Sequence, residues 1–288
     1  MDGPPTGEPS ENHVTDYYRL CVQPDSAGAV ARTPPHDVPM ASIINNQSAD
    51  AIDNSNIVES AARRAVDVTG LTVVRDRLPV LRDIYLSLSQ GDAVALRGPN
   101  GAGKSTLLGC IAGIVRPEQG DIRWFGNRAS SSLAVRRRIG FAAHEPGLYF
   151  ELTALENLVF AGRMYGVPDA VRHAIELLTD AGLEAAANRM VGQLSQGMRQ
   201  RLAIIRAVVH EPDLILLDEP FSGLDADGRD WLERRFQTWR AAGRTVCFAS
   251  HNPRASDDLA ERVISLDNGC IVDIERTRSL SMYFPQGA

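Results

Sequence analysis

The sequence predicts an α/β fold that has an antiparallel β part at its N-terminal end and a helical subdomain inserted before its last strands. Three observations support this prediction. Between residues 66 and 88 apolar side chains alternate with polar ones, which is typical of half-buried strands. A glycine-rich loop then separates the apolar run 93–96 from a helical pattern. From residue 153 to about 209 the apolar spacing is helical, and the continuous apolar run 214–217 indicates a central strand.

The individual elements follow from shorter patterns. Thr153 and Glu156 form a capping box that opens one helix of the insert. A second helix begins after residue 169, and its buried face is predicted to hold Val171, Ile175 and Leu178. A third helix follows residue 195, and a last one covers 231–241. Strands are predicted within 66–74, 84–88, 93–96, 122–125, 139–143, 214–217 and 246–249.

Composition sets limits on the class of protein. The 288 residues are 44% hydrophobic and carry a net charge of −6, so we expect a soluble globular protein that has no nucleic-acid partner. The four cysteines are scattered, which suits a reducing compartment and argues against a structural metal site. No apolar run reaches the ~18 residues of a membrane span, and the acidic, proline-rich start does not resemble a signal peptide. We therefore expect an intracellular protein.

The chain divides into three parts by composition. Residues 1–62 are rich in Pro, Asn, Ser and Asp, and we expect a disordered tail because such a segment buries too little apolar surface to offset its ordering entropy. Residues 63–275 are predicted to form one domain, with the helical subdomain at about 148–209. Residues 276–288 are predicted to be a C-terminal tail.

The loop after the 93–96 strand fits the pattern G-x-x-x-x-G-K-[ST], which is the phosphate-binding loop of nucleotide hydrolases. Its backbone N–H groups would surround an anion at a helix N-terminus. Lys104 is the only lysine in the chain, whereas the other basic residues are all arginines. A compact ammonium fits between phosphates where a planar guanidinium does not. The predicted nucleotide-binding residues are Gly98, Asn100, Gly101, Gly103, Lys104, Ser105 and Thr106.

Two carboxylates directly follow the 214–217 strand. In a chain with a phosphate loop this is the Walker B arrangement. Asp218 is predicted to hold Mg²⁺, with the Ser105 hydroxyl as a direct ligand. Glu219 is predicted to orient and deprotonate the attacking water. The predicted ligand is a nucleotide with Mg²⁺.

Residues 194–202 read Leu-Ser-Gln-Gly-Met-Arg-Gln-Arg-Leu and resemble the LSGGQ signature of ATP-binding cassette (ABC) ATPases. Gln196 and Met198 depart from the signature, whereas Ser195 and Gly197 match the residues that this family uses against the γ-phosphate. The segment 221–225 resembles the D-loop, and 249–252 resembles the switch-histidine segment. The resemblance, over about 66–275, implies a P-loop NTPase core. It also implies that ATP is the substrate, that Asp225 communicates between two nucleotide sites, and that His251 has a catalytic role in which it contacts the γ-phosphate and orients the base.

Two positions depart from the family pattern. His144 stands where the Q-loop glutamine is usual, and it is predicted to take over that residue's catalytic role. Arg75 stands near the position of the aromatic residue that usually stacks on adenine, and a guanidinium can lie flat on a base. Arg75 is therefore predicted to contact the nucleotide; the alternative is that adenine is held only weakly.

The resemblance also implies partners. The signature of one cassette faces the phosphate loop of another, so we expect a head-to-tail dimer with itself or a second ABC ATPase subunit. An integral membrane permease is expected as a further partner, which would place the chain in the cytoplasm on the inner face of the cell membrane. The segment 145–165 supplies a candidate docking groove for that permease, lined by Leu148, Tyr149, Phe150, Leu152, Phe160 and Tyr165.

Several functions stay open within this family. The segment 144–158 is similar to the haem-exporter ATPase of cytochrome c maturation, and we favour that group. The segment 194–198 looks more like ABC-2 type drug or polysaccharide exporter ATPases. A cassette without a transport role, as in iron–sulfur cluster assembly, is the alternative from another class. The last alternative, a phosphate-loop kinase outside the ABC family, does not account for the signature residues Ser195 and Gly197 or for His251.

Overall fold

The computed structural model describes residues 64–128, 132–145, 147–251 and 258–277. The predicted N-terminal tail, 1–62, lies outside these residues, as does the predicted C-terminal tail beyond residue 277. The domain bounds 63–275 and 148–209 therefore stay predictions. Strand β9 (Cys270–Arg276) runs one residue past the predicted end of the domain.

The elements before the helical insert are β1 (Arg64–Arg75), β2 (Leu78–Ser89), β3 (Ala93–Arg97), α1 (Lys104–Ile111), β4 (Gln119–Trp124), α2 (Leu133–Arg136) and β5 (Ile139–Ala142). The insert and the last strands are α3 (Ala154–Tyr165), α4 (Ala170–Asp180), α5 (Gln196–Ala207), β6 (Leu214–Asp218), α6 (Ala226–Ala241), β7 (Thr245–Ala249), β8 (Arg262–Asp267) and β9. Short 3₁₀ turns occupy Glu184–Ala186 and Val191–Gln193. In the part of the chain that is described, no helix has the length and apolar composition needed to cross a membrane.

The predicted N-terminal β part is an antiparallel sheet with the strand order β2-β1-β4. Val66 and Val68 pair with Leu88 and Leu86, and all four side chains are buried, which confirms the alternation in the sequence. The hairpin between β1 and β2 turns through Asp76 and Arg77, both at positive φ. This turn reverses the chain so that β2 pairs with β1, and Val80 and Leu81 near the start of β2 come close to the phosphate loop.

The second sheet has the strand order β5-β6-β7-β3-β8-β9 and is parallel except for β9. Every residue of β6 and β7 is buried, as a central strand covered on both faces requires. Because carboxyl ends of parallel strands lie at one edge, the loops after β3, β6 and β7 meet there. Strands β8 and β9 are absent from the predicted strands. For β9 the reason is that it is an edge strand with mostly exposed residues and no regular apolar alternation.

The helical insert begins with the predicted capping box. The Glu156 amide donates to Thr153 Oγ1 at 3.1 Å, and the Thr153 amide donates to Glu156 Oε2 at 2.8 Å. The buried Asn157 side chain bonds both the N–H and the carbonyl of Tyr149, at 2.9 and 3.0 Å. Helix α3 thereby holds the segment that follows His144.

The predicted buried face of α4 is wrong at two of its three positions. Val171 and Ile175 are 42% and 45% exposed, whereas Leu178 is buried. Small residues take their place against α3: a methyl group at Gly162 would lie 3.1 Å from Ala170 Cβ. The close approach of the two helices selects Ala170 and neighbouring small side chains over the larger β-branched ones.

Candidate functional site

The loops after β3, β6 and β7 surround an open cavity of about 800 Å³. Ten of the residues that the sequence predicts for the site line this cavity. They are Gly98, Asn100, Gly101, Gly103, Lys104, Ser105, Thr106, His144, Glu219 and His251. The structure therefore brings together residues that are more than 150 positions apart in the chain.

The phosphate loop is so closely packed that two of its glycines leave no room for a side chain. A methyl group at Gly98 would overlap the carbonyl oxygen of Leu266 in β8. At Gly103 it would lie 2.6 Å from a methyl carbon of Leu81 and 2.9 Å from the Val80 carbonyl oxygen. Gly103, at φ 100°, also stands at the N-cap of α1 and offers no side-chain cap. The first N–H groups of α1 are thus left for an anion.

Lys104 is the first residue of α1, and only 6% of it is exposed. Its Nζ donates to the carbonyl oxygens of Gly98 and Pro99, at 2.8 and 3.0 Å. These two bonds hold the ammonium inside the curve of its own loop. A positive charge is therefore fixed at the cavity, where it can meet phosphate oxygens.

Asp218 ends β6 beneath the cavity and is 3% exposed. Burial raises the pKa of its carboxyl group above the ordinary value, and a hydrogen bond with Ser105 opposes that rise. Among the described residues its Oδ1 has no hydrogen-bond partner. A buried carboxylate oxygen without a partner is costly, and a hard cation is the ligand that would satisfy it.

We expect Asp218→Asn to raise the thermal midpoint of the nucleotide-free protein by about 2–4 °C, the shift for ~1 kcal/mol in a domain of this size. Because the pKa is raised, the contribution of Asp218 to wild-type stability is fully present below the ordinary Asp pKa and is lost as pH rises through the raised value. Thermal melts across that range should show the gain shrinking at acid pH. Asp213→Asn is the matched control: it breaks ion pairs with Arg138 and Arg244 and should lower the midpoint. A lower midpoint for both variants would contradict the argument.

Glu219 follows Asp218 in a left-handed backbone conformation, at φ 49°. Its side chain is 15% exposed, and Oε2 lies 2.8 Å from His251 Nδ1. A carboxylate oxygen can only accept, so Nδ1 carries the proton in this bond. The loops after β6 and β7 thereby place a carboxylate and an imidazole that donates to it side by side.

Besides Asp218, which lies beneath the cavity, four predicted site residues do not line it. Ser195 caps α5 by accepting from the Met198 amide at 3.3 Å, and Gly197 lies in the first turn of that helix. Asp225 caps α6 by accepting from the Gly228 amide at 2.9 Å. Arg75 lies at the exposed end of β1, where it pairs with Leu78. Their contacts with nucleotide stay predictions.

Four further residues line the cavity without having been predicted, namely Val80, Arg97, Pro99 and Ser222. Pro99 and Ser222 lie inside motifs that the sequence did reveal, so their position could have suggested them. Val80 reaches the site only because the β1–β2 hairpin folds over the phosphate loop. No local sequence pattern indicates that contact.

Comparisons with known proteins agree with this arrangement. Residues 81–222 match the family model described as ABC transporter. The ABC transporter ATP-binding protein NatA of Bacillus subtilis is 38% identical over 67% of this chain and 80% of its own length. A sulfate/thiosulfate import ATP-binding protein of Rhizobium meliloti is 37% identical, and this chain spans 56% of its length. A solved dimeric ATP-binding cassette, bound to ADP and Pi, superposes with a TM-score of 0.69 at 28% identity, over 75% of this chain and 100% of that chain.

Proposed function

The chain belongs to the family of ABC transporter ATP-binding proteins, and from this we propose that it is an ATP-hydrolysing transporter subunit. The observation that carries the proposal is the Glu219–His251 pair, which faces the same cavity as the phosphate loop. A phosphate cradle alone would support nucleotide binding. The adjacent carboxylate adds a base for water, which hydrolysis requires.

The phosphate loop holds the nucleotide in this proposal. Backbone N–H groups from Asn100 to Thr106 bind β- and γ-phosphate oxygens, and Lys104 exchanges its bonds to Gly98 and Pro99 for bonds to phosphate. The charged ammonium stays buried when its two bonds to carbonyl oxygens are replaced by bonds to phosphate oxygens. The bound triphosphate is thereby fixed beside Glu219.

Asp218 and Ser105 fit a divalent cation. The partnerless Oδ1 of Asp218 and the hydroxyl of Ser105 are oxygen donors of the kind that Mg²⁺ prefers. When bound, Mg²⁺ would neutralise charge that develops on the phosphate oxygens. We propose Asp218 and Ser105 as the residues that hold it.

Glu219 takes a proton from the attacking water while the oxygen of that water bonds to the γ-phosphorus. The bond between the γ-phosphorus and the oxygen of the β-phosphate then breaks, which releases ADP and phosphate. The hydrogen bond from His251 keeps the carboxylate oriented for that transfer. His144 lies on the same cavity wall and is proposed to replace the usual glutamine in positioning the water. The step needs no covalent intermediate on the protein.

A second cassette is proposed to complete the site. Ser195, Gly197 and Asp225 do not line the cavity of their own chain, although the family uses such residues at nucleotide sites. A head-to-tail dimer would bring them to the nucleotide of the partner subunit. The partner is a second copy of this chain or another ABC ATPase subunit.

A membrane permease is the second proposed partner, and it would hold the chain at the cytoplasmic face of the membrane. The exposed apolar side chains of Phe150, Phe160 and Met164, at 51%, 40% and 47%, support a docking surface beside α3. Leu148, by contrast, is only 5% exposed and belongs to the core rather than to this surface. Tyr165 is half-exposed and stacks on His210.

We propose two alternative hypotheses for the substrate that the transporter moves. The resemblance of 194–198 to ABC-2 type exporters supports drug or polysaccharide export. The resemblance of 144–158 supports haem export for cytochrome c biogenesis, and neither curated relative described above is named for haem. The identity of the membrane subunit would separate the two.

We expect the full chain to co-purify with an integral membrane protein from detergent-solubilised membranes. Mass spectrometry of the eluate measures this, and Phe150→Asp with Phe160→Asp should reduce recovery because it places charge on the docking surface. The matched control is Ile175→Asp, an exposed apolar position on α4. If only soluble proteins are recovered, the transporter proposal is wrong, and an ABC ATPase without a transport role is favoured instead.

A further inference from the structure

The first turn of α5 lies directly against the loop that follows β6. A methyl group at Gly223 would be 3.0 Å from Cγ, Cδ and Nε2 of Gln196. A methyl group at Gly197 would be 2.9 Å from the Gly223 carbonyl oxygen. The Gln196 side chain therefore covers Gly223 at contact distance, where most ABC signatures would have a glycine.

One helical turn later, Gln200 makes a second attachment to the same loop. Its side chain is buried, with 9% of the residue exposed. Its Nε2 donates long hydrogen bonds to the carbonyl oxygens of Glu219 and Pro220, at 3.5 and 3.4 Å. The Glu219 carbonyl also accepts from the Ser222 amide at 3.0 Å. The backbone of the proposed base is thus tied to α5.

The contacts of Gln196 and Gln200 matter because Glu219 has a left-handed backbone conformation. A non-glycine residue at φ 49° is held there only by its surroundings. Relaxation of that backbone would move the carboxylate away from His251 and from the phosphate loop. The attachments by Gln196 and Gln200 oppose this relaxation.

We propose that Gln200 and Gln196 are positioning residues, which fix the backbone of 219–223 to the signature end of α5 and so hold Glu219 in place for hydrolysis. The inference rests on the proposed function. It links two motifs of one chain: movement of the α5 N-terminus, where Ser195 and Gly197 would meet the partner's nucleotide, displaces the chain's own base. Neither glutamine needs to touch ATP in its own chain.

The test is steady-state ATP hydrolysis by the full chain. Gln200→Leu keeps the volume but removes the donor, and should lower kcat on the order of tenfold, as a small misplacement of a base does. KM for MgATP should stay within about twofold, because the phosphate-loop contacts are untouched. Gln237→Leu, an exposed glutamine on α6, is the matched control and should keep wild-type kcat. Thermal melts confirm that each variant folds.

A double-mutant cycle tests the Gln196 contact. Gly223→Ala should lower kcat, because the added methyl meets the Gln196 side chain and because alanine is strained at the φ of 73° that Gly223 adopts. In a Gln196→Gly background that loss should be smaller, since the side-chain contact is then removed and only the backbone strain remains. The inference is overturned if Gln200→Leu keeps kcat within twofold of wild type, or if the substitutions at 196 and 223 act independently. An inactive wild type would instead overturn the proposed function itself.

Discussion

Glu219→Gln should lower ATP hydrolysis by at least ~100-fold, the usual contribution of a general base, while ATP binding is kept. The amide has nearly the shape of the carboxylate but cannot accept the proton of the attacking water. Since the phosphate loop, Asp218 and the buried Lys104 are unchanged, the variant should accumulate as an ATP-bound dimer. Phosphate release measures the first effect, and size-exclusion chromatography with and without MgATP measures the second.

The matched control is Glu184→Gln, an exposed glutamate in a 3₁₀ turn outside the cavity. It should hydrolyse ATP at the wild-type rate and show no trapped dimer. Hydrolysis by Glu219→Gln at the wild-type rate would show that Glu219 is not the base. His251→Ala should give a smaller loss, because it removes the orienting hydrogen bond and leaves the carboxylate in place.

Lys104→Ala should weaken MgATP binding by roughly 10–150-fold, the equivalent of the ~1.5–3 kcal/mol of a charged hydrogen bond. The ammonium is buried and already directed inward by its bonds to the Gly98 and Pro99 carbonyl oxygens, so the substitution removes the positive charge that the loop itself holds. Lys104→Arg should restore only part of the affinity, because the planar guanidinium has to enter a loop closed around an ammonium. Calorimetric titration with MgATP measures all three proteins.

The composition supplies an independent readout for the same residue. Lys104 is the only lysine, so an amine-acylating reagent can modify a single side chain. MgATP should protect that side chain in wild type, as measured by peptide mass spectrometry. Equal labelling with and without saturating MgATP, or unchanged affinity in Lys104→Ala, would refute the assignment. Folding of the variant is checked by its thermal midpoint.

The motifs were predictable because each depends on short-range chemistry. The spacing of glycines, lysine and serine in 98–106 encodes a backbone conformation, and Asp218 with Glu219 follows a strand whose apolar run is continuous. The cap at Thr153 was predictable for the same reason, since its side chain and the Glu156 amide are three residues apart. Parallel strands then bring the loops that they precede to one edge.

Contacts between distant segments could not be read in this way. The face of α4 was predicted from hydrophobicity, whereas the close approach of α3 at Gly162 and Ala170 decided it. The contact of Val80 with the phosphate loop depends on the fold of the β1–β2 hairpin. Leu148 looked like part of a docking groove and is core, because burial depends on what covers a side chain as well as on its type.

Residue types and their spacing were enough to indicate the family, the order of the motifs and the candidate phosphate-binding and acidic residues. The three-dimensional contacts added the direct hydrogen bond between His251 and Glu219, the burial of Asp218 Oδ1 without a partner among the described residues, and the contact of α5 with the loop after β6. The two kinds of information differ in the sequence separation of the residues involved. Local spacing fixes backbone conformation and capping, whereas the partners of a buried polar group come from segments that meet only when the sheet has formed.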